Sequence, residues 1–190
     1  TNLEHAVIRL QEMRKYGFDE IASNFIIGMP GDTWNDILQT FEFADKITNQ
    51  DKILDYSLFS IATPLPGTEM YETAKEMKVI PEDLKPEDFY GFGKGVINTE
   101  EWTAAELQIK RAYEWDRINF AASRPDHHKK IAKMLGINMQ ELATWRKETR
   151  QNAGVEVKSA DKTDEQVYGA DERSKEYFEE KVPTLEQSTH

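Results

Sequence analysis

Two short apolar runs constrain this chain more than any other feature. Ile21-Ala-Ser-Asn-Phe-Ile-Ile-Gly28 and Asp55-Tyr-Ser-Leu-Phe-Ser-Ile-Ala62 are each closed by a turn rich in glycine and proline. Their length and their Ile and Phe content favour buried strands over helices. Helical patterns surround them. Leu3, Ala6, Val7, Leu10 and Met13 recur at helical spacing over 3–15, and Gly17 follows as a left-handed cap. Thr33-Trp-Asn-Asp36 has capping-box spacing and predicts a helix to about Ile47. Thr68 predicts the cap of another, through about Met77. The order helix, strand, helix, strand, helix implies βα units and a parallel sheet. Two strands can neither close a barrel nor cover both sheet faces. The expectation is therefore an α/β fold made of the last two βα units of a partial barrel. Its remaining strands are expected in a missing N-terminal part or a split partner. With strand edges and apolar faces left open, the isolated chain is expected to be marginally stable.

Residues 78–98 mix Pro81, Pro86, Gly91, Gly93 and Gly95 with aromatics, and predict a surface excursion with a short extended stretch near Val96-Ile97. A long helix is predicted from about Thr103 to Ala122, stopped by Pro125, then two shorter ones over roughly 126–135 and 139–150. Past Gln151 the character changes: residues 155–190 hold ten Asp or Glu and five Lys or Arg, with no clear period. The expected organisation is a barrel part over 1–98, a helical extension over 99–151 and an acidic, disordered tail over 152–190.

Composition removes whole classes of function. The 190 residues contain no cysteine, which excludes disulfides, thiolate zinc sites, cysteine nucleophiles and a self-held iron–sulfur cluster. No run approaches the length of a membrane span, and no signal segment opens the chain. The net charge of −11 and a pI near 4.9 argue against broad nucleic-acid binding. The expected compartment is the cytoplasm.

The chemistry-bearing candidates are the two strand-to-helix turns, Gly28-Met-Pro-Gly31-Asp32-Thr33 and Thr63-Pro64-Leu-Pro66-Gly67-Thr68. Both stand at the C-terminal end of a predicted parallel strand, where α/β folds place ligands. Glycine admits close approach to the backbone, and proline pre-shapes the turn. The competing reading is two stiff connectors.

In that order, the turns resemble the Gly-x-Pro-Gly-Glu-Thr and Pro-x-Pro-Gly-Thr signatures in the C-terminal half of the radical S-adenosylmethionine (SAM) core. The nearest resemblance is to the cobalamin-binding branch and its relatives among methylthiotransferases and the elongator catalytic subunit. Lys15-Tyr16-Gly17, Arg111-Ala112-Tyr113 and Arg124-Pro125 extend it over roughly 1–150. The resemblance implies that Ile26 and Gly28, with Ile61, Ala62, Pro64 and Leu65, contact the adenosyl moiety. Asn24, polar within an apolar strand, would point towards SAM or substrate, or be a satisfied core amide. The family's Glu is Asp32 here, whose carboxylate reaches one methylene less far. The resemblance further implies a [4Fe-4S] cluster, held by a Cys-x3-Cys-x2-Cys segment that this chain lacks, and admits cobalamin in the parent enzyme.

Two other patterns compete. Residues 129–148 read like a helix–turn–helix with Gly136 at the turn, in which Arg146, Lys147 and Arg150 would meet phosphates or bases. A plain helical hairpin packed on the barrel is preferred, since the chain is anionic overall. A third reading is a non-catalytic scaffold. The adjacent pair His127-His128 reads as solvated surface.

Overall fold

In a computed structural model, the structure describes residues 3–89, 94–121 and 124–152. The sheet has two parallel strands, β1 (Ala22–Ile27) and β2 (Tyr56–Ile61), with Asn24 opposite Leu58 and Ile26 opposite Ser60. Helix α1 (Leu3–Lys15) precedes β1. Helix α2 (Trp34–Asp45) and a π-helical turn (Lys46–Gln50) connect the strands. Helix α3 (Glu69–Glu76) follows β2. After a 3₁₀ turn (Pro86–Phe89) come α4 (Ala104–Asn119), α5 (Pro125–Leu135) and α6 (Met139–Asn152). This is an α/β unit. A partial barrel is more than two strands define. Val96 and Ile97 are buried, but no strand forms there. Gly91 and Gly93, and the tail beyond Asn152, lie outside the described residues.

Local chemistry explains the helix boundaries. Thr33 and Asp36 form the expected capping box, and Thr103 with Glu106 forms a second. Thr68 caps α3 by accepting from the Tyr71 N–H. Gly136 ends α5 in the left-handed region at φ 68°.

One sheet face is covered. Phe25 stacks on Phe59 at 5.4 Å between centroids, Phe41 of α2 meets Phe59 at 4.9 Å, and Phe43 meets Phe25 edge-on at 6.3 Å. The core continues through Ile27, Ile37, Trp102, Leu107, Trp115 and Phe120.

The two outer strand edges differ. Along β2, α4 replaces a neighbouring strand with side chains. Asn119 Nδ2 donates to the Ser57 carbonyl at 2.7 Å, and its Oδ1 accepts from the Ser57 N–H at 2.8 Å. Arg111 Nε donates to the Phe59 carbonyl at 2.7 Å. Along β1, no third strand pairs among the described residues. The expectation of open edges thus holds for β1 among the described residues and is corrected for β2 at Ser57 and the Phe59 carbonyl.

Two charge clusters lock the helices. Below the strands, Asp55 accepts from Lys130 at 2.6 Å, from the Ile21 N–H at 2.9 Å and from Arg14, joining α1, β1 and α5. Burial works to raise the Asp55 pKa, but these hydrogen bonds outweigh it and hold the carboxyl below its ordinary value. In the extension, Asp116 of α4 accepts from Arg146 at 2.7 and 3.2 Å and from Arg150 at 2.6 Å. Trp115 and Trp145 pack edge-on beside them at 5.3 Å. Arg146 and Arg150 are therefore internal. That corrects the helix–turn–helix reading, which needed both on the surface, and leaves a helical hairpin docked on α4. His127 and His128 are likewise buried, not solvated: α5 lays them one turn before Ile131 and Ala132 on its core-facing side.

Candidate functional site

The two turns lie side by side beyond the C-terminal ends of β1 and β2. The Ala62 N–H donates to the Ile27 carbonyl at 2.8 Å, carrying the strand pairing into the second turn. In the first turn, Asp32 folds back so that its carboxylate accepts the Met29 N–H at 2.8 Å. Burial raises its pKa above the ordinary carboxylate value despite that bond. The Asp32 carbonyl accepts the Trp102 indole N–H at 2.9 Å, and Glu101 accepts the first N–H of α2, from Trp34, at 3.0 Å. The segment leading into α4 is thus stapled onto the first turn. In the second turn, the Thr68 hydroxyl donates to the Leu65 carbonyl at 2.7 Å.

The seven residues expected to contact a nucleoside divide into two groups. Asn24, Ile26 and Leu65 are exposed; Ile26 retains 58% and Leu65 49% of its accessible surface, which is unusual for large apolar side chains. Asn24 and Ile26 share the open sheet face with Leu58 and Ser60, and the Ser60 hydroxyl donates to Asn24 Oδ1 at 3.1 Å. Asn24 is therefore not a core amide. Gly28, Ile61, Ala62 and Pro64 are buried in the chain's own packing.

Gly28 departs most from expectation. Its φ is +74°, and a Cβ placed there would stand 2.3 Å from Leu107 Cδ2 and 3.4 Å from Trp102 Cη2. The space left by the missing side chain is filled by α4 and the segment before it, so internal packing accounts for this glycine. Sequence reasoning missed this cover. The signal available was Leu107, spaced with Arg111 and Trp115 along one stripe of α4.

No group of three or more His, Cys, Asp or Glu that could hold a metal ion occurs among the described residues. No helix there is long and apolar enough to cross a membrane.

Part of the chain is similar to part of a curated protein. It is 35% identical over 71 residues to an uncharacterized methyltransferase of Pyrococcus horikoshii, a stretch covering 37% of this chain and 14% of that protein. The chain thus spans a small fraction of the relative it matches. No family model matches the chain, and no solved structure matches it. What the comparison shows is that 71 residues of this chain are similar to a small part of that methyltransferase.

Proposed function

We propose that this chain supplies the nucleoside-binding part of a SAM-dependent enzyme of the radical SAM type, acting as a methyltransferase. The observation that carries this reading is the exposed apolar surface at the C-terminal ends of the strands: Ile26 stays exposed on the same face as the Asn24–Ser60 pair, and Leu65 stays exposed in the second turn. Exposed apolar side chains suit the faces of a neutral adenine. The Asn24 amide nitrogen, turned away from the Ser60 bond, offers a donor. The methyltransferase-like stretch supports the same class of chemistry.

The residues present fit a nucleoside but not a metal cofactor. A [4Fe-4S] cluster needs thiolates, and this chain has none; cysteines of another segment would hold it. Cobalamin, which the same resemblance admits, would be held by another segment of the parent enzyme. Within this reading, Ile26 and Leu65 hold the base and exclude water, while Asn24 orients the sugar or base edge.

The test is SAM binding by isothermal titration on the intact polypeptide that carries this chain. Ile26→Asp combined with Leu65→Asp is expected to weaken binding at least tenfold. Both side chains are already exposed, so the fold should hold. Unchanged affinity in the double variant, or no SAM binding by the parent, overturns the reading.

A further inference from the structure

The opposite end of β2 carries a concavity. A cleft of about 440 Å³ opens between the loop entering β2 and the first turn of α5. Lys52, Leu54 and Asp55 form one wall, and Arg124 to His127 with Lys130 form the other. The volume is in the range of small-molecule sites and exceeds what a bare inorganic anion needs. Leu54 and Pro125 supply apolar wall.

Three observations give the cleft a preference. First, its positive charge is in excess near the mouth. Asp55 is committed to Arg14 and Lys130, and the Asp126 side chain projects into solvent beside Lys129. Lys52 is exposed, and Arg124 gives three of its five donors to the Thr48 carbonyl, Asn49 and His127; neither meets a carboxylate among the described residues. Second, α5 begins at this cleft, and a helix N-terminus favours an anion. Third, His127 lines the cleft, is 92% buried and has an unanswered ring nitrogen. The Arg124 guanidinium, which can only donate, lies 3.1 Å from His127 Nδ1. Nδ1 is therefore the acceptor, and the ring proton sits on Nε2. That Nε2 finds no hydrogen-bond partner. A buried donor without an acceptor is costly, and an anionic oxygen in the cleft, reached by a turn of the ring, would supply one.

We propose that this cleft binds a small organic anion through a phosphate or carboxylate head group, using Lys52, Arg124 and His127 as its recognition groups. This goes beyond the SAM reading. The two sites lie at opposite ends of β2, so failure of one leaves the other standing.

The test is an NMR titration of the full chain with inorganic phosphate, and separately with acetate, at constant ionic strength set by chloride. Saturable shifts are expected at the Asp126 and His127 amides and at the His127 ring for at least one of the two anions. The one that saturates at lower concentration identifies the head group. Lys52→Ala is expected to weaken that binding at least fivefold, and His127→Phe at least threefold; Lys129→Ala, outside the cleft, should leave it unchanged. Should His127→Phe fail to fold, Lys52→Ala decides alone, because that side chain is exposed. Absence of saturation with both anions, or equal weakening by Lys52→Ala and Lys129→Ala, overturns the proposal.

Discussion

Replacing Gly28 with alanine tests why a glycine stands at the end of β1. The new Cβ would lie 2.3 Å from Leu107 Cδ2, against an ordinary carbon–carbon separation of roughly 3.5–4.0 Å. Leu107 is fully buried and cannot simply swing into solvent. Overpacking of this kind costs about 1–3 kcal/mol. The left-handed backbone at φ +74° adds about 1–2 kcal/mol for a residue with a side chain. The expected loss for Gly28→Ala is therefore about 2–5 kcal/mol in urea unfolding followed by tryptophan fluorescence, Trp102 being an adjacent reporter. Leu107→Ala alone should cost a similar amount by leaving a cavity. Together the two should cost less than their sum, by about 1–3 kcal/mol, because the alanine methyl enters the space the leucine leaves. Additivity within about 0.5 kcal/mol would show that Leu107 does not set the requirement for glycine.

Three further outcomes are expected. Asp116→Asn leaves Arg146 and Arg150 buried without their carboxylate, and should cost about 3–5 kcal/mol in the same assay, whereas a loss under about 1 kcal/mol would mean the arginines re-solvate freely. Asn119→Leu removes both partners of the Ser57 peptide groups, and should cost about 2–4 kcal/mol and speed hydrogen exchange of the Ser57 amide; an unchanged exchange rate would count against the edge-sealing role. For His127, burial foremost, aided by Arg124, His128 and Lys130 against the opposing Asp55, lowers the pKa from 6.5 to about 4. The unfolded chain then takes up a proton between those values that the folded chain refuses. This contribution to stability is complete above about pH 6.5 and lost as pH falls towards 4. It amounts to about 2 kcal/mol after allowance for screening in an open cleft. A His127→Gln variant with the same acid profile as its parent, compared by unfolding free energy against pH, would refute it.

Much of the local structure was legible because it depends on neighbours in sequence. The capping box at Thr33 and Asp36, the glycine stops at Gly17 and Gly136 and the six helices depend on spacing of a few residues. What escaped depends on distant partners. The π-helical turn at Lys46–Gln50 is pinned by Asn49 to the Ile118 carbonyl and by Arg124 to the Thr48 carbonyl, neither visible as a local pattern. The burial of Arg146 and Arg150 was half visible: with Leu142 they form an i, i+4, i+8 stripe, but charge on a helix reads as solvent-facing until Asp116 is found opposite. The same holds for His127 and His128, which share a face with Ile131 and Ala132. In the candidate site, Asn24, Ile26 and Leu65 are on open surface as a ligand role needs, whereas Gly28 answers to Leu107.

The contrast between the two strand borders has a directional consequence. Asn119 meets both the N–H and the carbonyl of Ser57, as the peptide of a neighbouring strand would, while among the described residues no strand lies along the far side of β1. A strand approaching β2 would meet α4, whereas one approaching β1 would meet an edge with no strand paired to it among the described residues. The flank of the sheet without a pairing strand among the described residues is the β1 side, so a strand added there would lie next to Asn24 and Ile26.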